Sequence, residues 1–262
     1  MKLFFPIICC IIFFSTTLIA QNIKWNNNPV IAHRGAWKKK SLPENSIAAL
    51  QEAIRLNCYG AEFDVHQTKD GVLVVNHDDD FKGMVIANTT YNELKKFPLA
   101  NGETIPTLKS YLKEGKKHGQ TKLILEIKPV KNPAQMRKVT EAVVAMVHQL
   151  KAQQWVEYIS FSYVAMQRVL ELNPSATVAY LNGDVTAEKL KQDGFAGADY
   201  YFTVYKTNNW FGKAKELGLT LNAWTVNTAA DMQWLLDNQV DFITTNEPEL
   251  LFEVLKKADH EK

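Results

Sequence analysis

Cysteine is scarce in this chain of 262 residues. Two of its three cysteines, Cys9 and Cys10, lie in an apolar N-terminal run, and Cys58 alone cannot form an internal disulfide. The mature fold must therefore rest on its core. Net charge is nearly absent as well, at +2, which gives no footprint for a nucleic acid or another polyanion. No linker, low-complexity tract or block of like charge interrupts the chain after Pro29, so a single domain is expected. The first apolar run, Leu3–Phe14, falls short of the ~20 residues that span a bilayer, which argues against a stable membrane span.

That run has another reading. Lys2, then Leu3–Phe14, then small and polar residues up to Ala20-Gln21 form the pattern of a secretory signal peptide. Residues 1–20 are expected to be a leader and 21–262 the mature domain, exported to the periplasm or beyond. Cleavage would remove one lysine and no acid, taking the charge from +2 to +1.

With 46% of its residues hydrophobic, a chain of this length can bury one large core. Eight runs read as strands: Val30–Ala32, Ala61–His66, Leu123–Lys128, Tyr158–Phe161, Thr177–Leu181, Tyr200–Val204, Leu221–Val226 and Phe242–Thr244. An amphipathic segment follows each. Pro133–Ala152 is the clearest, with Asn132 as cap, Pro133 at the first helical position, and Met136, Val139, Val143, Met146, Val147 and Leu150 on one face. Eight strand-then-helix units predict an α/β fold, a (β/α)8 TIM barrel in a single domain, for which ~250 residues is a usual length. An open doubly wound sheet is the second choice. Asp79–Pro106, after the second strand, reads as a short loop insertion over the barrel mouth.

A barrel of this kind carries its site at the carboxyl ends of its strands. The first strand runs into His33-Arg34-Gly35. On the second, Glu62 and Asp64 share a face because they are two apart, and two like charges so close call for a cation between them. Lys69-Asp70-Gly71 turns the chain back toward His77-Asp78. The third strand ends with Glu126 and Lys128 on one face, and the seventh with Trp224-Thr225-Val226-Asn227. Each of these residues alone has an ordinary structural explanation. Their convergence at one mouth is what points to chemistry.

The motifs HRG (33–35), PENS (43–46), EFDVHQTKDGVLVVNHD (62–78), EIKP (126–129), WTVN (224–227) and TNEP (245–248) resemble, in order, those of the glycerophosphodiester phosphodiesterase family. The resemblance extends from Pro29 to the C-terminal helix. It implies a (β/α)8 barrel, one divalent cation (Ca2+ or Mg2+), and hydrolysis of small-molecule glycerophosphodiesters to glycerol phosphate and an alcohol. It further implies Glu62, Asp64 and Glu126 as metal ligands, His33 and His77 as the catalytic pair, Arg34 and Lys128 as phosphate contacts, and Trp224 as an aromatic lining the cleft. Ser46 and Asn246 depart from the threonine and aspartate more usual in these motifs, and the loop between His33 and Pro43 is slightly long, taking in Trp37-Lys38-Lys39-Lys40.

These residue types suit the chemistry. Charge that grows on the phosphoryl oxygens needs a cation, a guanidinium fork and a mobile ammonium. A weak nucleophile and a poor leaving group need one base and one acid, assigned to His33 and His77 respectively. His66 is expected to be a noncatalytic neighbour, and His118, His148 and His260 to lie on the surface. Two rivals are a phospholipase D-like action on lysophospholipids and a noncatalytic phosphodiester-binding barrel. The second has no use for a proton donor and acceptor.

Overall fold

The computed structural model describes residues 23–260. The expected leader, residues 1–20, lies outside them. In chain order the elements are β1 (Val30–Ala32), α1 (Ile47–Arg55), β2 (Gly60–Gln67), β3 (Leu73–Val75), β4 (Asp80–Phe81), β5 (Met84–Val85), α2 (Tyr91–Leu94), α3 (Leu108–His118), β6 (Lys122–Ile127), α4 (Pro133–Gln149), β7 (Val156–Ser160), α5 (Tyr163–Leu172), β8 (Val178–Tyr180), α6 (Ala187–Gln192), β9 (Gly197–Tyr201), α7 (Trp210–Leu217), β10 (Thr220–Trp224), α8 (Ala229–Asp237), β11 (Phe242–Thr245) and α9 (Pro248–His260).

The parallel strands pair in the order β1-β11-β10-β9-β8-β7-β6-β2, and β2 pairs back onto β1 with Ile31 opposite Gly60. That closing ladder makes the sheet a (β/α)8 barrel, as expected, and excludes the open alternative. β3 is an extra strand, antiparallel to β2, with Val65 opposite Val75.

The helices begin where short polar side chains can accept from their free amides. Ser46 caps α1, Thr107 caps α3, Thr186 caps α6 and Thr228 caps α8, while Asn132 with Pro133 opens α4. Side chains alternate across each strand, so one set packs outward on the helices and the other fills the barrel. On β2, Phe63 stacks on Tyr111 of α3 with ring centroids 4.2 Å apart, whereas Glu62 and Asp64 point inward. Ile31, Ile124 and Ile159 form an apolar layer inside the barrel. The residues two positions further along those strands are His33, Glu126 and Phe161, so the layer is the floor on which the site stands.

Two expectations need correction. The sixth barrel strand is Gly197–Tyr201, not Tyr200–Val204; residues 202–206 form a 3-10 helix whose Tyr205 hydroxyl donates back to the Ala198 and Asn222 carbonyls. The insertion Asp79–Pro106 is more than a loop. It holds the β4-β5 hairpin and α2 and has its own small core of Phe81, Ile86, Leu94 and Ile105 against Val74.

Candidate active site

The site begins with a tight turn after β1. Arg34 and Gly35 both have positive φ, at 57° and 79°, and a Cβ on Gly35 would lie 2.7 Å from the main chain of Ala49. Glycine is required there by conformation and by space. The turn aims the Arg34 amide at Glu62, to whose Oε2 it donates at 2.9 Å. The Arg34 guanidinium donates to Glu44 at 2.5 Å, and its Nε lies 4.0 Å from Asp64.

Glu62, Asp64 and Glu126 are buried, and each offers an oxygen within 4.8 Å of the others. Among the described residues this is the group of three acids with the spacing of a metal site. Lys128 reaches into it, with Nζ 3.2 Å from Asp64 and 3.1 Å from Glu126. Burial raises the pKa of Glu62 well above the ordinary value, and repulsion from Asp64 and Glu126 adds to this. Burial likewise pushes Glu126 up to about 8, with the Asp64 charge contributing. For Asp64 burial acts in the same direction, but the Lys128 ammonium, an Asn45 hydrogen bond and other nearby charges outweigh it, and the net shift is downward. Lys128 is raised, since its two carboxylate partners overcome the cost of its own burial. Three carboxylates thus face one ammonium, the nearby guanidinium being engaged by Glu44. The surplus negative charge and the all-oxygen donor set fit a hard divalent cation.

Asn45 braces this cluster. It sits at φ +59° and donates to Asp64 Oδ2 at 2.8 Å, while the Asp64 amide donates to its Oδ1 at 3.2 Å.

His33 lies 3.9 Å from Glu62 through Nε2, and its Nδ1 is 2.7 Å from Asn246 Oδ1. With the Asn246 carbonyl oxygen as acceptor, Nδ1 carries the proton and Nε2 keeps its lone pair. Burial, then the Arg34 charge, lower the His33 pKa to about 4 against the opposing effect of Asn246, so the ring is neutral at neutral pH. His77 is more exposed, and its Nδ1 lies 2.7 Å from Asp78. The Nε2 of His66 pairs with the His77 carbonyl at 3.2 Å and steadies that turn. His118 and His148 are exposed.

One cleft of about 130 Å³ brings the expected residues together. His33, Arg34, Glu62, His77, Glu126 and Lys128 line one side, and Trp224 lines the other. Asp64 lies just behind, tied to Lys128. The Trp224 indole donates to the Asp199 carbonyl at 2.8 Å and meets Phe161 edge to face, with centroids 5.5 Å apart at 82°. A larger groove of about 590 Å³, lined in part by Asp184, Asn208 and Lys213, contains none of the expected site residues. The basic loop after the first strand is held away from the acids, Lys38 pairing with Glu247 and Lys40 with Glu52.

The model of the glycerophosphoryl diester phosphodiesterase family matches residues 33–250. The chain belongs to that family. With it the protein falls among the phosphoric diester hydrolases. It is 42% identical to a crystallised glycerophosphodiester phosphodiesterase from Parabacteroides distasonis, with a TM-score of 0.86 over 90% of this chain and 99% of that one. It is also 32% identical to a putative glycerophosphodiester phosphodiesterase of Bacillus subtilis, over 88% of this chain and 98% of the relative. A glycerophosphodiester phosphodiesterase of Caldanaerobacter subterraneus is 28% identical over 87% of this chain and 98% of its own.

Proposed function

We propose that the protein hydrolyses glycerophosphodiesters to glycerol phosphate and an alcohol, with His33 as general base and His77 as general acid. The observation that carries this reading is one cleft in which three buried carboxylates, two cationic side chains and two differently held histidines face each other. Glu62, Asp64 and Glu126 would hold one divalent cation, Ca2+ or Mg2+, which when bound supplies neutralisation of the phosphoryl charge. Lys128 and the turn-held Arg34 bind the phosphoryl oxygens of the diester.

The proton inventory supports the two histidine roles. His33 is neutral and its Nδ1 proton is fixed on Asn246, so Nε2 is free to accept a proton. His77 is open to water and can recover from solvent the proton it gives to the leaving alcohol. The nucleophile we favour is the substrate's own glycerol hydroxyl next to the phosphoester, because intramolecular attack reaches effective molarities of about 10⁵–10⁸ M. His33 takes that proton, and a cyclic glycerol phosphate is opened afterwards.

Glycerol phosphate release from the choline, ethanolamine, glycerol and inositol diesters, each with and without a chelator, tests the reading. Turnover that stops on chelation is expected, and turnover of none of the four would overturn it. Phosphorus NMR should show a cyclic signal. Undiminished cleavage of a 2-deoxy glycerol diester would replace the cyclic path with direct attack by water.

We further propose export, on the strength of the basic-then-apolar Met1–Ala20 segment. Mass spectrometry of the natural protein should find an N-terminus near Gln21, and retention of Met1 or Lys2 would refute it. Among the described residues no helix is long and apolar enough to cross a membrane.

A further inference from the structure

The cleft has two chemically different halves. Most of the ionisable groups come from β2, from β6 and the residue just after it, and from the turns after β1 and β3, whereas β7, β8 and β10 with the residues that directly follow them contribute Ile159, Phe161, Leu181 and Trp224. Phe161 and Trp224 form a right-angled aromatic corner, and Tyr201, which is 46% exposed, extends it at the rim with its ring 5.6 Å from that of Trp224. A polyol set against this half would leave its hydroxyls without partners, which is costly. Glycerol is therefore better matched to the other side.

One residue breaks the apolar pattern. Asp199, on β9, lines the cleft beside Trp224 and is 2% exposed. Its Oδ1 has no hydrogen-bond partner among the described residues. Burial pushes its pKa up to about 7, relieved only by Asn222, and no lysine, arginine or histidine contributes to its setting. An alkyl chain laid in the aromatic corner would leave that carboxyl unanswered. A cation would answer it, and aromatic faces attract ammonium ions.

We propose that the aromatic half of the cleft seats the leaving alcohol and selects alcohols bearing an ammonium ion, quaternary before primary. Phe161 and Trp224 meet the methylated cation, and Asp199 lies beneath it as the counter-charge. The assignment rests on the phosphodiesterase reading above and adds to it the class of alcohol released.

The test compares kcat/KM, with divalent cation present, for glycerophosphocholine, its neutral 3,3-dimethylbutyl isostere, glycerophosphoglycerol and lysophosphatidylcholine. The isostere keeps the shape of choline and removes its charge. A preference of about tenfold for the choline ester over the isostere is expected from a desolvated cation–π contact. That ratio should fall toward one in Phe161→Leu, survive in Phe161→Tyr, and shrink in Asp199→Asn. Because it is a ratio within one enzyme, a general loss of activity cancels. Equal rates on choline ester and isostere, a ratio untouched in both Phe161→Leu and Asp199→Asn, or a preference for lysophosphatidylcholine over glycerophosphocholine would each overturn the proposal. If glycerophosphoglycerol is cleaved while the choline advantage is missing, the ammonium subsite alone fails; if no diester is cleaved, the phosphodiesterase reading fails and takes the subsite with it.

Discussion

Changing Glu126 to glutamine should make the metal-free protein more stable at high pH while abolishing its response to metal. The reason is proton linkage. Glu126 is held at about 8 in the fold against an ordinary 4.5, so between those two values the folded state keeps a proton that the unfolded chain has lost. Stability must then fall as pH rises through that window and level off above it. At about 1.36 kcal/mol per pH unit, moving from 4.5 to about 8 sets a ceiling of about 5 kcal/mol on the loss. Sharing of protons with Glu62 brings the observed value below that ceiling. A bound cation works the other way, since it replaces the proton and requires the carboxylate. At a hundred times its dissociation constant it stabilises by about 2.7 kcal/mol, or about 5–10 °C in melting temperature for a chain of this size. Urea unfolding followed by circular dichroism, at pH 5 and pH 8.5, in chelator and in Ca2+ or Mg2+, measures all of these. Glu126→Gln in chelator should exceed the parent at pH 8.5 by a few kcal/mol, match it more closely at pH 5, gain nothing from the cation, and be inactive. A variant no more stable than its parent at pH 8.5, or one that the cation still stabilises as it does the parent, would refute the reasoning.

Three further outcomes are expected. Gly35→Ala should destabilise the protein by about 2–3 kcal/mol, since positive φ and a 2.7 Å approach to Ala49 must both be relieved; it should also cut turnover by moving the Arg34 amide from Glu62, and denaturant titration with kinetics checks both. Asn45→Ala removes the two-way hydrogen bond to Asp64 and should weaken metal affinity about 10–100-fold, as loss of a group that orients a ligand commonly does; metal titration by calorimetry measures it. Asn246→Asp places a carboxylate on His33 Nδ1, favours the imidazolium, and should raise the His33 pKa from about 4 by about 1–2 pH units. The acidic limb of the kcat/KM profile then moves to higher pH, and an unmoved limb would remove His33 from the role of base.

Much of the architecture was legible because barrel strands are short, apolar and regularly separated by capped helices. Glu62 with Asp64, and Glu126 with Lys128, could be placed on common faces by alternation alone, and in the structure both pairs meet at the same cluster. The misreadings have a physical origin. In Gly197–Val204 the run of aromatic and β-branched residues continues past the end of the strand into a 3-10 turn, so hydrophobicity alone placed the strand three residues late. The same error hid Asp199: inside the strand its alternation with Gly197 and Tyr201 turns it into the barrel, whereas outside the strand it has no face at all. Asn45 and Asn246 were missed for another reason. Each crosses from a distant segment to hold Asp64 or His33, and neither hydrophobic period nor local spacing encodes such a contact. In the sequence Asn246 shows only a departure from a motif, and its partner His33 lies 213 positions away.

The two histidines are held in different ways, and the difference follows from the elements that carry them. His33 extends directly from a barrel strand, its amide bonded to the Thr245 carbonyl and its ring to Asn246 on the neighbouring turn, so its position is fixed by the pairing of β1 with β11. His77 lies beyond β3, whose one neighbour in the sheet is β2, and its ring and carbonyl are supported locally, by Asp78 and His66. Under the proposed assignment the base must find one particular hydroxyl proton beside the metal ligands, which demands a rigid mount and exclusion of water. The acid must follow a leaving alcohol of varying size and be recharged from solvent after each turnover, which demands access. A barrel strand meets the first requirement and an added hairpin the second, so the single antiparallel strand in an otherwise parallel sheet is what sets a firmly held, partly buried His33 and a more accessible His77 in one site.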